Sequence, residues 1–209
     1  MEKPNVIISG LTAAGKTTHA RLLASELSYR YISATEIIAD MIGVDRREVG
    51  PGFWERHGDA IGRVRDETDL DRQLDQRLVE MATIDEGLVI DAWALPWLVA
   101  SPYCISMWIE SDHYSRSLKA AVSDENQHPL PWYEAFISRK DDDARDRFLA
   151  IYGFDIYGPR QRFDIDLDNS AYITEATRAN ADYGIVRFGP LVSAAVATQL
   201  ISAASIRIE

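Results

Sequence analysis

The sequence predicts an α/β protein: one parallel sheet flanked by helices, with the functional site at the carboxyl edge of the strands. Three observations predict it. Short β-favouring runs alternate with amphipathic helical stretches along the 209 residues. The first run leads directly into a glycine-containing loop that opens a helix. A later run ends in an acidic residue, Asp91. Alternating strands and helices of this kind build parallel sheets whose ligands bind beyond the strand ends.

The first strand, Val6-Ile7-Ile8-Ser9, runs into Gly10-Leu11-Thr12-Ala13-Ala14-Gly15-Lys16-Thr17-Thr18. This is the phosphate-binding pattern G-x-x-x-x-G-K-[ST] between a strand and a helix, so the expected fold is that of a P-loop NTPase. Gly10 and Gly15 let the backbone curl so that consecutive N–H groups, from Ala13 and Ala14 through Thr17 and Thr18, surround a phosphate. Lys16 is expected to reach the β- and γ-phosphates of ATP, and the Thr17 hydroxyl to ligate Mg²⁺.

Downstream, His19–Leu27 carries Ala20, Leu23, Ala24 and Leu27 at helical spacing, and Tyr29–Ser33 reads as a second strand. Thr35–Ile42 is a helix interrupted by Gly50-Pro51-Gly52-Phe53-Trp54. Asp69–Ala82 is amphipathic, with Leu70, Leu74, Leu78 and Met81 inward and its charges outward. Leu88–Asp91 and Cys104–Glu110 are strands three and four. From Asp112 to Arg147 the chain is charged and interrupted by His128-Pro129-Leu130-Pro131, the pattern of a mobile flap. Phe163–Asp168 alternates apolar and acidic residues as a fifth strand, and a last helix spans about Leu191–Ala203. We expect one domain over 1–209, with an acceptor-binding insertion at about 35–82 and a lid at about 112–162.

A net charge of −11 disfavours a nucleic-acid partner without excluding it. One cysteine, Cys104 in an apolar run, permits no internal disulfide and reads as a buried thiol, in keeping with a cytoplasmic protein. The opening residues read straight into the first strand without a secretory signal. No apolar stretch reaches the ~20 residues that span a bilayer, so no membrane partner is expected.

Asp91 is the second anchor. An acid closing an apolar strand downstream of the loop can join the Mg²⁺ shell or accept a proton from an attacking hydroxyl. Asp85 and Glu86, at the opposite end of that strand, are surface charges. Basic residues gather in the lid region: Arg116, Lys119, Arg139, Lys140, Arg145, Arg147, Arg160 and Arg162. Lid cations stabilise charge on a transferring phosphoryl group. Arg139 and Arg147 are favoured because they flank Asp141-Asp142-Asp143, which can fix their geometry. Trp54, Trp93, Trp97, Trp132 and Tyr133 fall at expected loops, where aromatics either stack on a flat ligand or simply pack. Trp93, two residues past Asp91, faces the site. His57, His113 and His128 lack metal-ligand spacing.

These stretches together resemble the nucleoside monophosphate kinase superfamily, nearest the archaeal type of cytidylate kinase, over about residues 5–170. Besides Gly10–Thr18, the likeness lies in Tyr31-Ile32-Ser33-Ala34, Asp71-Arg72-Gln73-Leu74-Asp75, and Phe163-Asp164 through Asp168-Asn169-Ser170. Arg147–Ile156 is similar to the family's Arg-Tyr-x-x-Ile-Tyr-Gly-Ile-Asp-Ile, and Arg116 and Lys119 fall on the lid's first basic positions. The resemblance implies a five-stranded parallel sheet, a lid, and Arg116 on the nucleotide. The departures fall on the acceptor side. The family's Gly-Glu-x-x-Arg is here Thr35-Glu36-Ile37-Ile38-Ala39, its Glu-Gly-Arg is Asp91-Ala92-Trp93, and a lid arginine near Ser123 is missing. Two lost Arg–phosphate contacts of ~2–3 kcal/mol each weaken monophosphate binding by orders of magnitude.

A hydroxyl acceptor, with its high pKa, benefits instead from a positioned carboxylate. The expected activity is transfer of the ATP γ-phosphate to a small-molecule hydroxyl, nucleoside-like or of a specialised metabolite. Asp91 is the base, and Thr35, Trp54 and Trp93 are acceptor contacts. Three alternatives stand beside it: a (d)CMP kinase whose phosphate site is rebuilt from Arg46, Arg47, Arg63 or Arg65, a kinase for a modified base in nucleic acid, and a nucleotide-binding regulator without transfer. Residues 171–190 have no counterpart and are a candidate homodimer contact or acceptor wall.

Overall fold

The computed structural model describes residues 3–50 and 52–206. Five strands form one parallel sheet: β1 (Asn5–Ser9), β2 (Arg30–Ser33), β3 (Leu88–Asp91), β4 (Cys104–Glu110) and β5 (Ile165–Asp168). Their order is β2-β3-β1-β4-β5, with β1 central. The register pairs Ile8 with both Asp91 and Met107, so the ends of β3 and β1 come level.

Side chains alternate across a strand, and β1 divides its residues accordingly. Val6 and Ile8 enter one core with Leu23, Met107, Phe188, Val192 and Val196. Ile7 enters the other with Ile38, Phe53, Ile61, Leu74, Leu78 and Ile90. The first core is roofed by α1 (Lys16–Leu27) and α8 (Arg178–Ile206), the second by α2 (Ala34–Met41), α3 (Phe53–Glu67) and α4 (Leu70–Ile84). The short α5 (Leu95–Leu98) follows β3, and α6 (His113–Ser123) and α7 (Leu130–Tyr152) form a helical pair beside the sheet. A third cluster joins Leu11, Trp108, Ile156 and Phe163, with Trp97 stacked on Phe154 at 5.0 Å.

Several elements differ from expectation. The prolines do not break the charged region, because Pro129 caps α7 and Pro131 sits in its first turn, where an N–H would be unpaired anyway. Trp54, Trp97, Trp132 and Tyr133 are therefore helical rather than on loops. Gly52, at φ +69°, caps α3, and Phe53 and Trp54 begin it; Pro51 lies outside the described residues. Asp71 and Asp75 do not point outward from α4 but are buried, 7% and 6% exposed. Cys104 is only half-buried, and burial raises its thiol pKa. The fifth strand starts two residues later than expected.

The last helix is far longer than the sequence suggested, because Gly184 and Pro190 are absorbed into it. A Cβ at Gly184 would lie 2.0 Å from the Tyr172 carbonyl oxygen, so the helix needs glycine there to seat against that turn. By length and composition Arg178–Ala203 is apolar enough to cross a membrane, although the sequence there is not one unbroken apolar run. Here it packs along α1.

Candidate active site

The loop between β1 and α1 is held open from outside. Gly10, at φ +149°, lies so close to β4 that a Cβ would sit 2.5 Å from the Ile109 carbonyl oxygen. Gly15, at φ +96°, turns the chain into α1. Three of the loop's carbonyls are taken by side chains. Lys16 Nζ donates to Leu11 O at 2.8 Å, Arg116 to Thr12 O at 3.1 Å, and Asn169 Nδ2 to Ala14 O at 2.8 Å. No side chain caps α1, so its first N–H groups remain available to an anion.

Thr17 follows Lys16 into the helix, and its hydroxyl donates to Asp91 Oδ2 at 2.5 Å. Tyr31 approaches the same oxygen at 3.4 Å. Lys16 Nζ lies 5.1 Å from the centre of the Trp93 ring. Burial lowers the Lys16 pKa to about 8, against the opposing pull of Asp91 and Asp141.

Around these groups opens a cleft of about 400 Å³. It brings together Ala13, Lys16, Thr17, Thr35, Trp54, Asp91, Trp93, Arg139 and Arg147 from the sequence-predicted set. Gly10, Ala14, Gly15 and Thr18 shape the loop without lining the cleft. Arg139 is exposed and makes no ion pair among the described residues.

Two expectations fail. Arg116 does not reach the cleft. It is 5% exposed, bonded to Asp141 Oδ2 at 2.5 Å, and Asp141 Oδ1 in turn accepts from Thr12 N–H at 3.0 Å. The acidic run therefore fixes Arg116, while Arg147 turns to Asp71 at 3.5 Å. Ala39 faces the core rather than the acceptor, because Thr35 and Ile38 are the cleft-facing positions of α2. The Trp54 ring is covered by cations, with Lys140 Nζ 4.0 Å and Arg65 Cζ 5.6 Å from its centre.

The cleft also holds two carboxylates of α4 that the sequence places among its outward charges. Asp71 bridges Arg65, at 3.0 Å, and Arg147. Asp75 accepts from the Tyr152 hydroxyl at 2.8 Å, and burial pushes its carboxyl up to about 6. Asp71 and Asp75 stand four apart on one helix face, a spacing legible in sequence but overridden there by the leucine stripe. Of the arginines considered for a rebuilt phosphate site, Arg46 and Arg47 pair with Asp40 and Asp45 at the surface. Only Arg65 lines the cleft.

Among the described residues, no three His, Cys, Asp or Glu side chains are grouped to hold a metal alone. One hydroxyl and one carboxylate beside a phosphate cradle nevertheless suit Mg²⁺, which takes few protein oxygens and completes its shell with phosphates and water. Thr17 and Asp91 supply that donor set.

No family model matches the chain. It is homologous to archaeal cytidylate kinases: 26% identical to that of Sulfurisphaera tokodaii over 154 residues, which is 72% of this chain and 78% of the relative. To that of Halorubrum lacusprofundi it is 26% identical over 169 residues, 81% of this chain and 80% of the relative. Among solved structures, an uncharacterized protein from Eubacterium ventriosum superposes with a TM-score of 0.58 at 14% identity, covering 90% of this chain and 99% of that one. That likeness concerns the fold.

Proposed function

We propose that this protein, a P-loop kinase by its loop, sheet order and homologues, transfers the γ-phosphate of ATP to a hydroxyl of a small, nucleoside-like or specialised metabolite. The observation that carries the reading is the pairing of Asp91 with a neutral neighbour. Asp91 ends β3 level with β1, and Trp93, not an arginine, covers the adjacent cleft wall beside Lys16.

The first N–H groups of α1 and the Lys16 ammonium bind the β- and γ-phosphates. Bound Mg²⁺, held by Thr17 and Asp91, would neutralise phosphate charge. One Asp91 oxygen receives the Thr17 hydroxyl, which leaves the other to orient and accept the acceptor's proton. Arg139, exposed on α7 at the cleft rim, meets the charge on the transferring group. Lys16, its pKa lowered by burial to about 8, is held in its charged form beside the triphosphate.

A second reading has its own support. Arg65 and Arg147 line the acceptor side and share Asp71, an arrangement that presents two guanidinium groups to an acceptor phosphate. It fits a (d)CMP kinase whose phosphate grip has moved, and it agrees with the names of the relatives. The two readings predict different products. Incubation with γ-labelled ATP against nucleosides, nucleoside monophosphates and polyhydroxy acids separates them. The first expects labelled phosphomonoesters from unphosphorylated acceptors; label found solely in diphosphates would overturn it in favour of the second.

A further inference from the structure

On the acceptor side, α3 turns Trp54, Gly58, Gly62 and Arg65 toward the cleft. Residues three and four apart share a helix face, so the two glycines form a bare strip of backbone between an aromatic ring and a guanidinium. Glycine inside a helix is unfavourable relative to alanine. Gly184 of α8 has a packing reason, the close approach to Tyr172, but Gly58 and Gly62 have none. A Cβ built on either meets no heavy atom within 4 Å. The space in front of them is the cleft itself.

Asp75 faces the same chamber from α4 and is just 6% exposed. Oδ2 accepts from the Tyr152 hydroxyl, and burial raises the pKa of the carboxyl. A carboxylate so largely withdrawn from water is costly to the fold. Two helix glycines and a buried acid, each unfavourable for stability, thus line one chamber. Such local costs gather where a ligand is to be accommodated.

We propose that Gly58 and Gly62 seat a flat ring of the acceptor and that Asp75 takes a hydrogen bond from an N–H or O–H on that ring. The inference deepens the reading above, in that it names what fills the acceptor half of the cleft. Leu74, Leu78 and Ile38 give that half apolar lining, as a ring requires, and an N–H or O–H on the ring offers the Asp75 carboxylate a second donor beside Tyr152.

The test is calorimetric binding to the full chain in the presence of a non-hydrolysable ATP analogue. The probes are nucleosides of the common bases, their N-methylated counterparts that lack the donor, and ribose as a control without a flat ring. At least one nucleoside is expected to bind, with ribose at least about tenfold weaker. Gly58→Ala/Gly62→Ala and Asp75→Leu should each weaken it by at least about tenfold, the range lost with a filled pocket or an unmet polar partner. N-methylation should weaken binding to the wild type and change nothing further in Asp75→Leu. The glycine variant should melt higher than the wild type, by about 2 °C per glycine replaced, and Asp75→Leu no lower than it, so misfolding cannot account for lost binding. Equal nucleoside binding by wild type and variants, or no nucleoside binding to the wild type, overturns the proposal. The phosphotransfer reading is scored separately by labelled product. Binding as predicted with no product removes that reading and leaves the ring seat; product with unaffected variants does the reverse.

Discussion

Thr17 and Asp91 join the two halves of the site: the hydroxyl of the second residue of α1 donates to the carboxylate ending β3 at 2.5 Å. The parallel register that sets Ile8 opposite Asp91 makes this contact possible. An asparagine at 91 still accepts from Thr17 but neither balances the metal nor takes a proton. Asp91→Asn is expected to lower the transfer rate by at least about tenfold while leaving the melting temperature within a few degrees. A smaller fall in single-turnover rate would remove Asp91 as the base.

Lys16 is bonded to the Leu11 carbonyl oxygen and covered by Trp93. Replacement by alanine should lower transfer by about a hundredfold or more, the range for losing one preorganised charge at a developing anion. Steady-state phosphorylation assays check this; full turnover in Lys16→Ala would contradict the role given to the loop.

The Arg116–Asp141 pair ties α6 and α7 to Thr12, with both side chains nearly inaccessible. Removing one partner leaves a buried unpaired charge, so Arg116→Met is expected to destabilise the protein by about 3–5 kcal/mol in denaturant unfolding. Arg116→Met combined with Asp141→Leu should cost clearly less than the sum of the single changes. Additive costs would mean the two side chains are not coupled.

Asp75 gives a pH signature. Its folded pKa, about 6, lies above the ordinary 3.8. Between those values the folded state holds the extra proton, so the acid's contribution falls as pH rises through this window and is most unfavourable above it. Asp75→Asn should therefore stabilise the protein at neutral pH, by at most about 3 kcal/mol for a shift of that size. The gain should shrink toward pH 4. Thermal melts across pH check it, and a gain independent of pH would refute the assignment.

The loop half of the candidate site is legible in the sequence because its pattern is local. Gly10 through Thr17 are contiguous, and the apolar run ending in Asp91 announces both strand and acid. The acceptor half was less so. Asp71 and Asp75 read as solvent-facing charges because the leucine stripe of α4 masks a second buried face. That face is visible only once α7 brings Arg147 and Tyr152 against it. Arg116 was misassigned for a similar reason: its partner, Asp141, lies on another helix, and a basic residue in a charged lid gives no sign that it will be buried. Pro190 and Gly184 hid the length of α8, since a break in propensity says nothing of the turn at Tyr172 that the helix packs on.

The central claim, phosphoryl transfer to a hydroxyl, is tested most directly by ³¹P NMR of the product formed from ATP and a mixed pool of nucleosides and nucleoside monophosphates. The account predicts a new phosphomonoester resonance that depends on Lys16 and Asp91. Phosphoanhydride resonances of an acceptor diphosphate beyond those of ADP, with no monoester formed, would contradict it.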